Sequence, residues 1–333
     1  MKAKKVVITG KGGLGVIKIQ EYTVVGPGDN EVQIKVAYAG LAYADLMLRK
    51  VSMPGLSKPP FTPGADAAGI VDRVGKNVKA VKPGDRVAAL MMSDFGGQAQ
   101  YVNVKADRVH VIPDDVPLEK ALCLLINYLT AYRMFMQNVI PDGSGSRKIL
   151  IHGGSGGVGS ALVQIAKAFG NTVVSTASGK NLRFVREMGA DVIDYGNEDF
   201  VSVIENKYKS VDYVFDPIGG SYLGRSLKIL KKGGKYIGYG FQENINEGMT
   251  GILSSLLQFM VQKLINLNKK IRSFQLKDGN PKFYQADLQE LFQLYVDKKI
   301  DPVISEIISL ENASKAHEKL EAGDRNGKII IKA

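Results

Sequence analysis

Two stretches of the sequence match the glycine pattern G-x-G-x-x-G, in which missing side chains let the backbone approach a phosphate group closely. One covers residues 10–15 and the other residues 154–159. The pattern holds a pyrophosphate where a strand leads into it and a helix leads out, because a helix N-terminus presents free N–H groups and a partial positive charge. The chemistry that these residues could support is the binding of a dinucleotide.

The flanking residues decide between the two stretches. The first is followed by VIKIQ, which alternates with a period of two and predicts a glycine-rich hairpin. The second lies between KILIH, an apolar strand, and VGSALVQIAKAFG, in which Val158, Leu162 and Ile165 fall on one helical face. Strand, glycine turn and helix in this order predict a dinucleotide-binding fold at the second stretch.

The end of the next predicted strand indicates which dinucleotide binds. Sites for NAD place Asp or Glu there, about 20 residues on, to accept a hydrogen bond from the ribose 2′-hydroxyl. This strand ends with STASGK, and no carboxylate follows before Glu187. Ser178 could donate to a 2′-phosphate and Lys180 could neutralise it. We therefore predict NADP(H) as the cofactor; the alternative is a polar turn with a solvated lysine.

Composition excludes several other classes of protein. The 333 residues are 45% hydrophobic and 23% charged, which is typical of a globular chain. One cysteine and three scattered histidines provide neither an intramolecular disulfide nor a metal motif. The net charge of +11 suits phosphate, nucleic acid or anionic lipid, but we interpret it as a soluble protein with many surface lysines. The apolar run at residues 6–8 is too short for the core of a signal peptide, and the run at residues 252–267 is too short for a membrane span. We therefore expect a soluble cytoplasmic protein.

The first 120 or so residues favour a compact, barrel-like β domain, because short β-rich runs alternate with Gly, Pro, Asp and Asn clusters. The runs are residues 6–9, 16–22, 32–39, 69–74 and 86–90. After Pro117 a helix is predicted over residues 118–137, and from Lys148 strands and helices alternate. This alternation requires parallel pairing through crossovers and predicts a doubly wound sheet.

The predicted elements of that sheet region are strands at residues 148–152, 172–177, 192–195, 211–216, 236–239 and 271–276, and helices at residues 158–169, 182–188, 223–230 and 252–266. A further helix is expected between the third and fourth strands. The tail adds helices near residues 286–297 and 313–320 and a last strand at residues 328–332. We predict that this strand has no βαβ partner and returns to the first domain.

Several blocks, read together, resemble the medium-chain dehydrogenase/reductase superfamily, specifically its zinc-free quinone oxidoreductase branch. They are GLAYADL at residues 40–46, PGADAAG at 63–69, KPGDRV at 82–87, HGGSGGVG at 152–159 and GGKYIGYG at 233–240. LLINYLTAY at residues 124–132 and FDPIGGS at 215–221 are most similar to the vesicle amine transport protein homologues. The resemblance implies a GroES-like catalytic domain of residues 1–124 and 280–333, a Rossmann NADP-binding domain of residues 125–279, and a cofactor cleft where they meet.

The resemblance also implies roles for individual residues. The pyrophosphate would bind at Gly154, Gly156, Gly157, Val158 and Gly159, and the 2′-phosphate at Ser178, Lys180 and Tyr195. Thr130, with Asn127 close by, would lie near the nicotinamide half. Further cofactor contacts would be Tyr239, Gly240, Phe241, Asn326 and Gly327. Tyr43 would form part of the substrate pocket.

The zinc ligands of related alcohol dehydrogenases are replaced here. Ala42 stands where those enzymes carry Cys, Ala65-Asp66 stands where they carry His-Glu, and residues 85–120 contain no cysteine for a structural zinc. Without a Lewis acid, reduction of a quinone or an α,β-unsaturated carbonyl is easier than oxidation of an alcohol, since the acceptor delocalises the charge. Tyr43 would bind the carbonyl oxygen or relay a proton; packing is an equal alternative. Many quinone oxidoreductases have Asn at the position of Ala42. Because alanine has no polar side chain, this chain lacks that potential hydrogen bond at the catalytic cleft.

Other interpretations stay open. The chain could be a catalytically weak cofactor-binding protein that acts through RNA, lipid or protein partners, although no stripe of aromatics among lysines supports RNA. A homodimer through Rossmann edge strands is expected from the resemblance. The apolar segment at residues 252–267 could cap the active site, pack in a dimer or touch a membrane surface. Cys123 is interpreted as a small buried hydrophobe, with a reactive thiol as the alternative.

Overall fold

The computed structural model describes residues 1–51, 58–139, 145–240, 242, 248–276, 281–323 and 325–333. The chain divides into two units: the first combines residues 1–129 with residues 277–333, and the second comprises residues 130–276. The first unit is rich in antiparallel strands and the second alternates strands and helices, so the predicted fold class is confirmed.

Short strands dominate the N-terminal part of the first unit, as its turn-rich sequence predicts. They are β1 (Lys2–Ile8), β2 (Ile17–Thr23), β3 (Glu31–Gly40), β4 (Asp66–Val74), β5 (Arg86–Leu90), β6 (Tyr101–Lys105) and β7 (Val109–Val111). Strands β1 and β2 pair antiparallel, so the glycines of residues 10–15 lie in the predicted hairpin connection. Helix α1 (Tyr43–Lys50), which the sequence did not predict, follows β3.

Residues 118–138 are helical but fall into three parts. These are α2 (Leu118–Cys123), a π-helical turn (Leu124–Tyr128) and α3 (Leu129–Asn138). The predicted helix over residues 118–137 is thus correct in extent but misses the π turn, which inserts one extra residue into the ladder. Such turns are frequent at functional sites. Asn127 lies within this π turn, and Thr130 lies in the first turn of α3.

The second unit has the predicted strand–helix alternation. Its elements are β8 (Lys148–Ile151), α4 (Gly157–Ala168), β9 (Thr172–Ala177), α5 (Asn181–Glu187), β10 (Asp191–Asp194), α6 (Phe200–Lys207), β11 (Val211–Asp216), α7 (Ser221–Ile229), β12 (Leu230–Gly238), α8 (Gly248–Ile265) and β13 (Lys270–Ser273). Over the described residues, the strands pair parallel in the order β10-β9-β8-β11-β12-β13. The order reverses between β8 and β11, which is the switch point where Rossmann folds bind their ligand.

The C-terminal tail completes the sheet of the first unit. It contains α9 (Pro281–Val296), β14 (Ile304–Ser309), α10 (Ala313–Glu321) and β15 (Lys328–Lys332). Strand β15 pairs antiparallel with β3, so the predicted return to the first domain is confirmed. It also pairs parallel with β14 across α10, so the prediction that it has no βαβ partner is wrong. The isoleucines at residues 304, 307 and 308 do not alternate, which is why β14 escaped prediction.

Each unit has its own apolar core. In the first unit the strands β3, β5 and β15 contribute Ile34, Val87 and Ile331, all fully buried. In the second unit the strands of the parallel sheet contribute Leu150 and Val214. Within the described parts of the chain, no helix has both the length and the apolarity needed to cross a membrane.

Candidate cofactor-binding site

The glycine turn of residues 153–159 connects β8 to α4 at the switch point of the parallel sheet. Gly156 is the N-cap of α4 and has an extended backbone with φ −72°, while Gly157 and Val158 begin the helix. The backbone N–H of Ser160 donates to the carbonyl of Gly156 at 2.8 Å, which starts the helical ladder. The preceding N–H groups of the first turn have no partner within the helix and can meet an anion.

The glycines of this turn are required for different reasons. A Cβ on Gly154 would lie 2.1 Å from Ser175 Oγ, and a Cβ on Gly159 would lie 2.1 Å from the carbonyl oxygen of Gly153. Close packing therefore forces both positions to be glycine. At Gly156 the nearest atom would be 3.5 Å away, an ordinary contact, and its φ suits any residue. The chain itself leaves the space above Gly156 free, which fits a pyrophosphate cradle that a Cβ would fill.

A network of buried hydrogen bonds fixes the residues at which the glycine turn begins. The hydroxyl Oγ1 of Thr176 accepts a hydrogen bond from the Gly153 N–H at 3.1 Å, and its carbonyl accepts from the Gly154 N–H at 3.1 Å. Behind it, His152 Nδ1 lies 3.3 Å from Thr176 Oγ1, and His152 Nε2 lies 3.0 Å from Ser226 Oγ. Burial, and to a smaller extent the charge of Arg225, lowers the pKa of His152 to about 3. The neutral imidazole thus links strand β8 to β9 and α7 with one donor and one acceptor nitrogen.

The side chains predicted to bind a 2′-phosphate come together at the carboxyl ends of β9 and β10. Ser178 Oγ donates a hydrogen bond of 2.9 Å to Tyr195 Oη. Tyr195 directly follows β10 and is 49% exposed, so its hydroxyl is open to a ligand. Lys180 is exposed at the N-cap position of α5. This edge of the sheet presents two hydroxyl groups and one ammonium and, at the end of β9, no carboxylate.

Asp216 organises the opposite side of the switch point, where β11 ends. It is fully buried; its Oδ1 accepts from the N–H groups of Ile218 and Gly219, and its Oδ2 accepts from Tyr236 Oη at 2.6 Å. Its carbonyl accepts from the Tyr239 N–H at 2.9 Å. Burial and the carboxylate of Asp216 raise the pKa of Tyr239, which remains a neutral phenol.

The predicted residues at the end of β12 lie just beyond the strand, which stops at Gly238. Tyr239 and Gly240 are half-buried. A Cβ on Gly240 would lie 2.4 Å from the carbonyl oxygen of Pro217, so packing alone explains that glycine. Phe241 lies outside the described residues.

Within the first unit, Tyr43 is half-buried at the first position of α1. Burial raises its pKa to about 12; the nearby charge of Arg325 opposes this shift and that of Glu321 adds to it. Tyr43 is therefore a hydrogen-bond donor at neutral pH. The helix that carries it is anchored by buried Asp45, whose carboxylate accepts from the N–H groups of Ala42 at 2.8 Å and Gly64 at 2.9 Å.

The remaining predicted cofactor contacts are Gly327, Asn326, Asn127 and Thr130, and the structure gives a different reason for each residue type. Gly327 has φ +87°, and a Cβ there would lie 2.3 Å from the carbonyl oxygen of Val303, so packing and backbone conformation both require glycine. Asn326 beside it has a buried Oδ1 without a hydrogen-bond partner among the described residues, which leaves an acceptor for a ligand donor. Asn127 is buried in the π turn. Thr130 belongs to the second unit and is half-buried.

An ion pair occupies the block where related enzymes carry zinc ligands. Asp66 and Lys328, both almost fully buried, form a salt bridge of 2.5 Å that joins β4 to β15. Nowhere in the described residues do three or more His, Cys, Asp or Glu side chains lie close enough to hold a metal ion. Burial raises the pKa of the Cys123 thiol to about 12, as expected for a small buried hydrophobe rather than a reactive thiolate.

Two residues that position the site were not predicted from the sequence, namely Thr176 and Asp216. Each is a buried polar residue at the carboxyl end of an apolar strand. That pattern is a usable signal, because such a group needs partners and the sheet edge supplies loop N–H groups.

The two units together define a medium-chain dehydrogenase/reductase. Residues 28–114 match the alcohol dehydrogenase GroES-like domain, and residues 188–331 match the family described as zinc-binding dehydrogenase. The chain belongs to the medium-chain dehydrogenase/reductase superfamily, whose members are NAD(P)H-dependent oxidoreductases.

Within that superfamily, VAT-1 homologues and quinone oxidoreductases are close relatives of the chain. It is 31% identical over 342 residues to the mouse synaptic vesicle membrane protein VAT-1 homolog-like, covering 98% of this chain and 81% of the relative. It is 30% identical to a probable quinone oxidoreductase of Schizosaccharomyces pombe, covering 96% and 94%. The Escherichia coli quinone oxidoreductase in complex with NADPH superimposes with a TM-score of 0.83 at 25% identity, covering 99% and 100%.

Proposed function

We propose that this chain reduces a quinone or an α,β-unsaturated carbonyl with NADPH and without zinc. The observation that carries this proposal is the hydrogen-bonded pair of Ser178 and Tyr195 beside the glycine turn. A 2′-hydroxyl of NADH would call for a carboxylate at the end of β9, whereas a 2′-phosphate calls for hydroxyl donors and a cation. Ser178, Tyr195 and Lys180 supply the second set.

The cofactor would bind along the carboxyl edge of the parallel sheet. Its pyrophosphate would accept hydrogen bonds from the N–H groups at the start of α4, above Gly156, where the chain leaves room. When bound, NADPH supplies the hydride that reduces the acceptor. The contacts proposed for the rest of the cofactor are Asn127, Thr130, Tyr239, Gly240, Phe241, Asn326 and Gly327.

The donor set does not fit a catalytic zinc. Tetrahedral zinc needs three or four deprotonated thiolate, imidazole or carboxylate ligands. Ala42 and Ala65 have no side-chain atom that could bind zinc, and the carboxylate of Asp66 already forms a salt bridge with the ammonium of Lys328. We therefore assign the stabilisation of developing negative charge to the conjugated acceptor itself and to hydrogen-bond donors of the protein.

Tyr43 is the donor that we assign to the acceptor's carbonyl oxygen. With a pKa of about 12 it stays protonated at neutral pH, so it can donate a hydrogen bond and then a proton to the reduced product. The positive charge of Arg325 nearby favours the phenolate that such a transfer leaves. Solvent would return the proton to Tyr43.

The test is turnover by the purified, chelator-treated chain with NADPH or NADH and a panel of quinones and enones. We expect NADPH oxidation with at least one acceptor, a preference for NADPH over NADH, and no gain on adding zinc. The variant Tyr43→Phe, which keeps the ring and removes the hydroxyl, should lower kcat with little change in KM for NADPH. No turnover above blank with any acceptor, or activity that depends on zinc, would contradict the proposal.

A further inference from the structure

Arg325, which follows α10, is a half-buried cation without a carboxylate partner among the described residues. Its Nη1 donates a hydrogen bond of 2.8 Å to the carbonyl of Leu320, and its backbone N–H donates to the carbonyl of Gly323 at 3.0 Å. Its Nε and Nη2 have no acceptor in that part of the chain. A guanidinium that is partly removed from water and unpaired costs free energy, so its spare N–H groups mark a place for an anion.

The carboxylate that could pair with Arg325 is already neutralised. Glu321 lies four positions earlier, at the end of α10, and its Oε2 accepts a hydrogen bond of 2.6 Å from Arg49 Nη2. Its Oε1 forms an ion pair with Lys50. Arg49 is fully buried and also donates to the carbonyl of Gly12 at 2.6 Å, which fixes the guanidinium on Glu321. Arg325 therefore keeps an uncompensated positive charge.

Tyr43 lies within the electrostatic reach of that charge. It begins α1, the helix whose last turn carries Arg49 and Lys50, and it is half-buried. Its hydroxyl has no hydrogen-bond partner among the described residues. Burial lowers the pKa of Arg325 and Tyr43 opposes that shift, while Arg325 opposes the burial that raises the pKa of Tyr43. A neutral donor and a cationic donor thus lie near each other in one unit, and neither group is used up by the protein.

We propose that Arg325 and Tyr43 together bind an acceptor that carries a carboxylate, so that the preferred substrate is an α,β-unsaturated keto acid. This inference rests on the proposed reductase function. The guanidinium would bind both carboxylate oxygens through Nε–H and Nη2–H, and Tyr43 would donate to the ketone oxygen. The phosphates of the cofactor fit less well as the anion, because the glycine turn and the pair of Ser178 and Tyr195 already offer them donors in the second unit.

The carboxylate takes no part in the chemistry. The hydride supplied by NADPH adds to the carbon β to the ketone, and the electron pair of the C=C bond shifts towards the ketone oxygen. Tyr43 transfers its proton to that oxygen, and the resulting enol returns to the saturated ketone in water. Neutralising the carboxylate should therefore weaken binding of the acceptor and leave the reacting atoms unchanged.

The experiment compares trans-β-acetylacrylate with its methyl ester, which has the same reacting atoms and no charge. With NADPH, the wild type should show a kcat/KM at least about tenfold higher for the acid, as expected for hydrogen bonds between charged groups. Arg325→Gln should bring the ratio of acid to ester close to one, and Arg325→Lys should retain part of it, because an ammonium keeps the charge but not the paired donors. The matched control is Arg73→Gln, which removes an exposed arginine of the same unit and should keep the wild-type ratio.

A second readout does not depend on turnover. Levulinate, the saturated product, should bind to the chain loaded with NADP⁺ at least about tenfold more tightly than its methyl ester, as measured by calorimetry or ligand-observed NMR. Arg325→Gln should remove that difference, whereas Tyr43→Phe should weaken both ligands by the same factor. Circular dichroism verifies that each variant folds, and the ratio measured on the wild type tests the proposal without any variant.

Equal treatment of acid and ester by the wild type, in turnover and in binding, would overturn the proposal. So would an Arg325→Gln variant that binds NADPH and NADH more weakly while the ratio stays as in the wild type, since the guanidinium would then serve the cofactor. Binding of levulinate that depends on Arg325, without turnover of any acceptor, would support the carboxylate site and refute the reductase function.

Discussion

Ser178 donates a hydrogen bond of 2.9 Å to the hydroxyl of Tyr195, and this contact joins the loop after β9 to the residue that follows β10. The two side chains are 17 positions apart in sequence and meet because β9 and β10 are parallel neighbours that end at the same sheet edge. Lys180, two residues beyond Ser178, adds a cation to this edge. The three groups form the part of the site from which the preference between cofactors can be tested.

The first prediction concerns that preference. Ser178→Ala, Lys180→Ala should raise the Kd for NADPH roughly tenfold to a hundredfold, since hydrogen bonds to charged groups contribute about 1.5–3 kcal/mol. The Kd for NADH should change little, because NADH has no 2′-phosphate. Calorimetry with both cofactors measures the two constants. An equal loss of affinity for NADH would show that these residues do not read the 2′-phosphate.

The second prediction compares two glycines of one turn. Gly156→Ala should leave the free energy of unfolding nearly unchanged but weaken cofactor binding about tenfold or more, because its methyl group enters the space of the pyrophosphate. Gly159→Ala should instead destabilise the fold by about 1–3 kcal/mol or more, since its Cβ would lie 2.1 Å from the Gly153 carbonyl. Urea unfolding and calorimetry separate the two effects. Similar behaviour of both variants would refute this division of roles.

The third prediction concerns Thr176 as a positioning residue. Thr176→Val keeps the shape and removes the oxygen that accepts from the Gly153 N–H, so the turn keeps only the bond from the Gly154 N–H to the Thr176 carbonyl. The Kd for NADPH and for NADH should both rise roughly tenfold, because the pyrophosphate is common to them. Thr176→Ser keeps the hydroxyl and should bind like the wild type. If Thr176→Val lowers stability but leaves both Kd values unchanged, the hydroxyl is purely structural.

The fourth prediction concerns the buried ion pair of Asp66 and Lys328. Lys328→Met should lower the free energy of unfolding by about 3–5 kcal/mol, because it leaves a buried carboxylate without its cation. Removing both charges in Asp66→Val, Lys328→Met should cost less than the single change. Urea unfolding of the three proteins gives the coupling. Additive losses would mean that the two charges do not stabilise each other.

The fifth prediction concerns acid. Burial lowers the pKa of His110 to about 4 and of His152 and His317 to about 3. The three imidazoles therefore stay neutral in the folded protein, whereas in the unfolded chain they take up protons below about pH 6.5. Stability should therefore fall as the pH drops from 6.5 towards 4, by about 2 kcal/mol per histidine at pH 5. Asp45, whose pKa burial raises to about 6, opposes this trend.

His317 offers the cleanest test of that trend, because neither ring nitrogen has a hydrogen-bond partner among the described residues. His317→Leu removes the titrating group without breaking a hydrogen bond. It should match or exceed the wild-type stability at pH 7 and lose about 2 kcal/mol less on going to pH 5, as measured by urea unfolding. An unchanged pH dependence would exclude His317 as a source of acid sensitivity.

The sequence predicts the parallel sheet well because its signals are local. A glycine turn between an apolar strand and an amphipathic helix fixes β8 and α4, and the same alternation continues to β13. Elements without such a period escaped: β7 has three residues, and the isoleucines of β14 do not alternate. The π turn at Leu124–Tyr128 escaped as well, since one extra residue in a helix leaves no mark on its composition.

The residues of the candidate site also divide into those with a local sequence signal and those without one. The glycine turn and the polar end of β9 can be read from sequence spacing, so Gly156, Ser178 and Lys180 could be proposed as cofactor contacts from the sequence. The anchoring role of Thr176 was not, because it depends on the pairing of β8 with β9, which places its hydroxyl beside His152 and Gly153. Spacing along one strand cannot specify which groups a neighbouring strand brings opposite it.

The return of residues 304–332 to the first sheet has a consequence for the order of folding during synthesis. The chain of the parallel-sheet unit is continuous from residue 130 to residue 276 and leaves the ribosome before β14 and β15 exist. In the N-terminal strands, by contrast, β4 and β6 can pair with β3 early, but residues 38–40 of β3 lack their partner β15 until the last residues emerge. Nascent chains of this protein therefore carry an unfinished β sheet through most of translation, and loss of the last dozen residues would remove a whole strand from it.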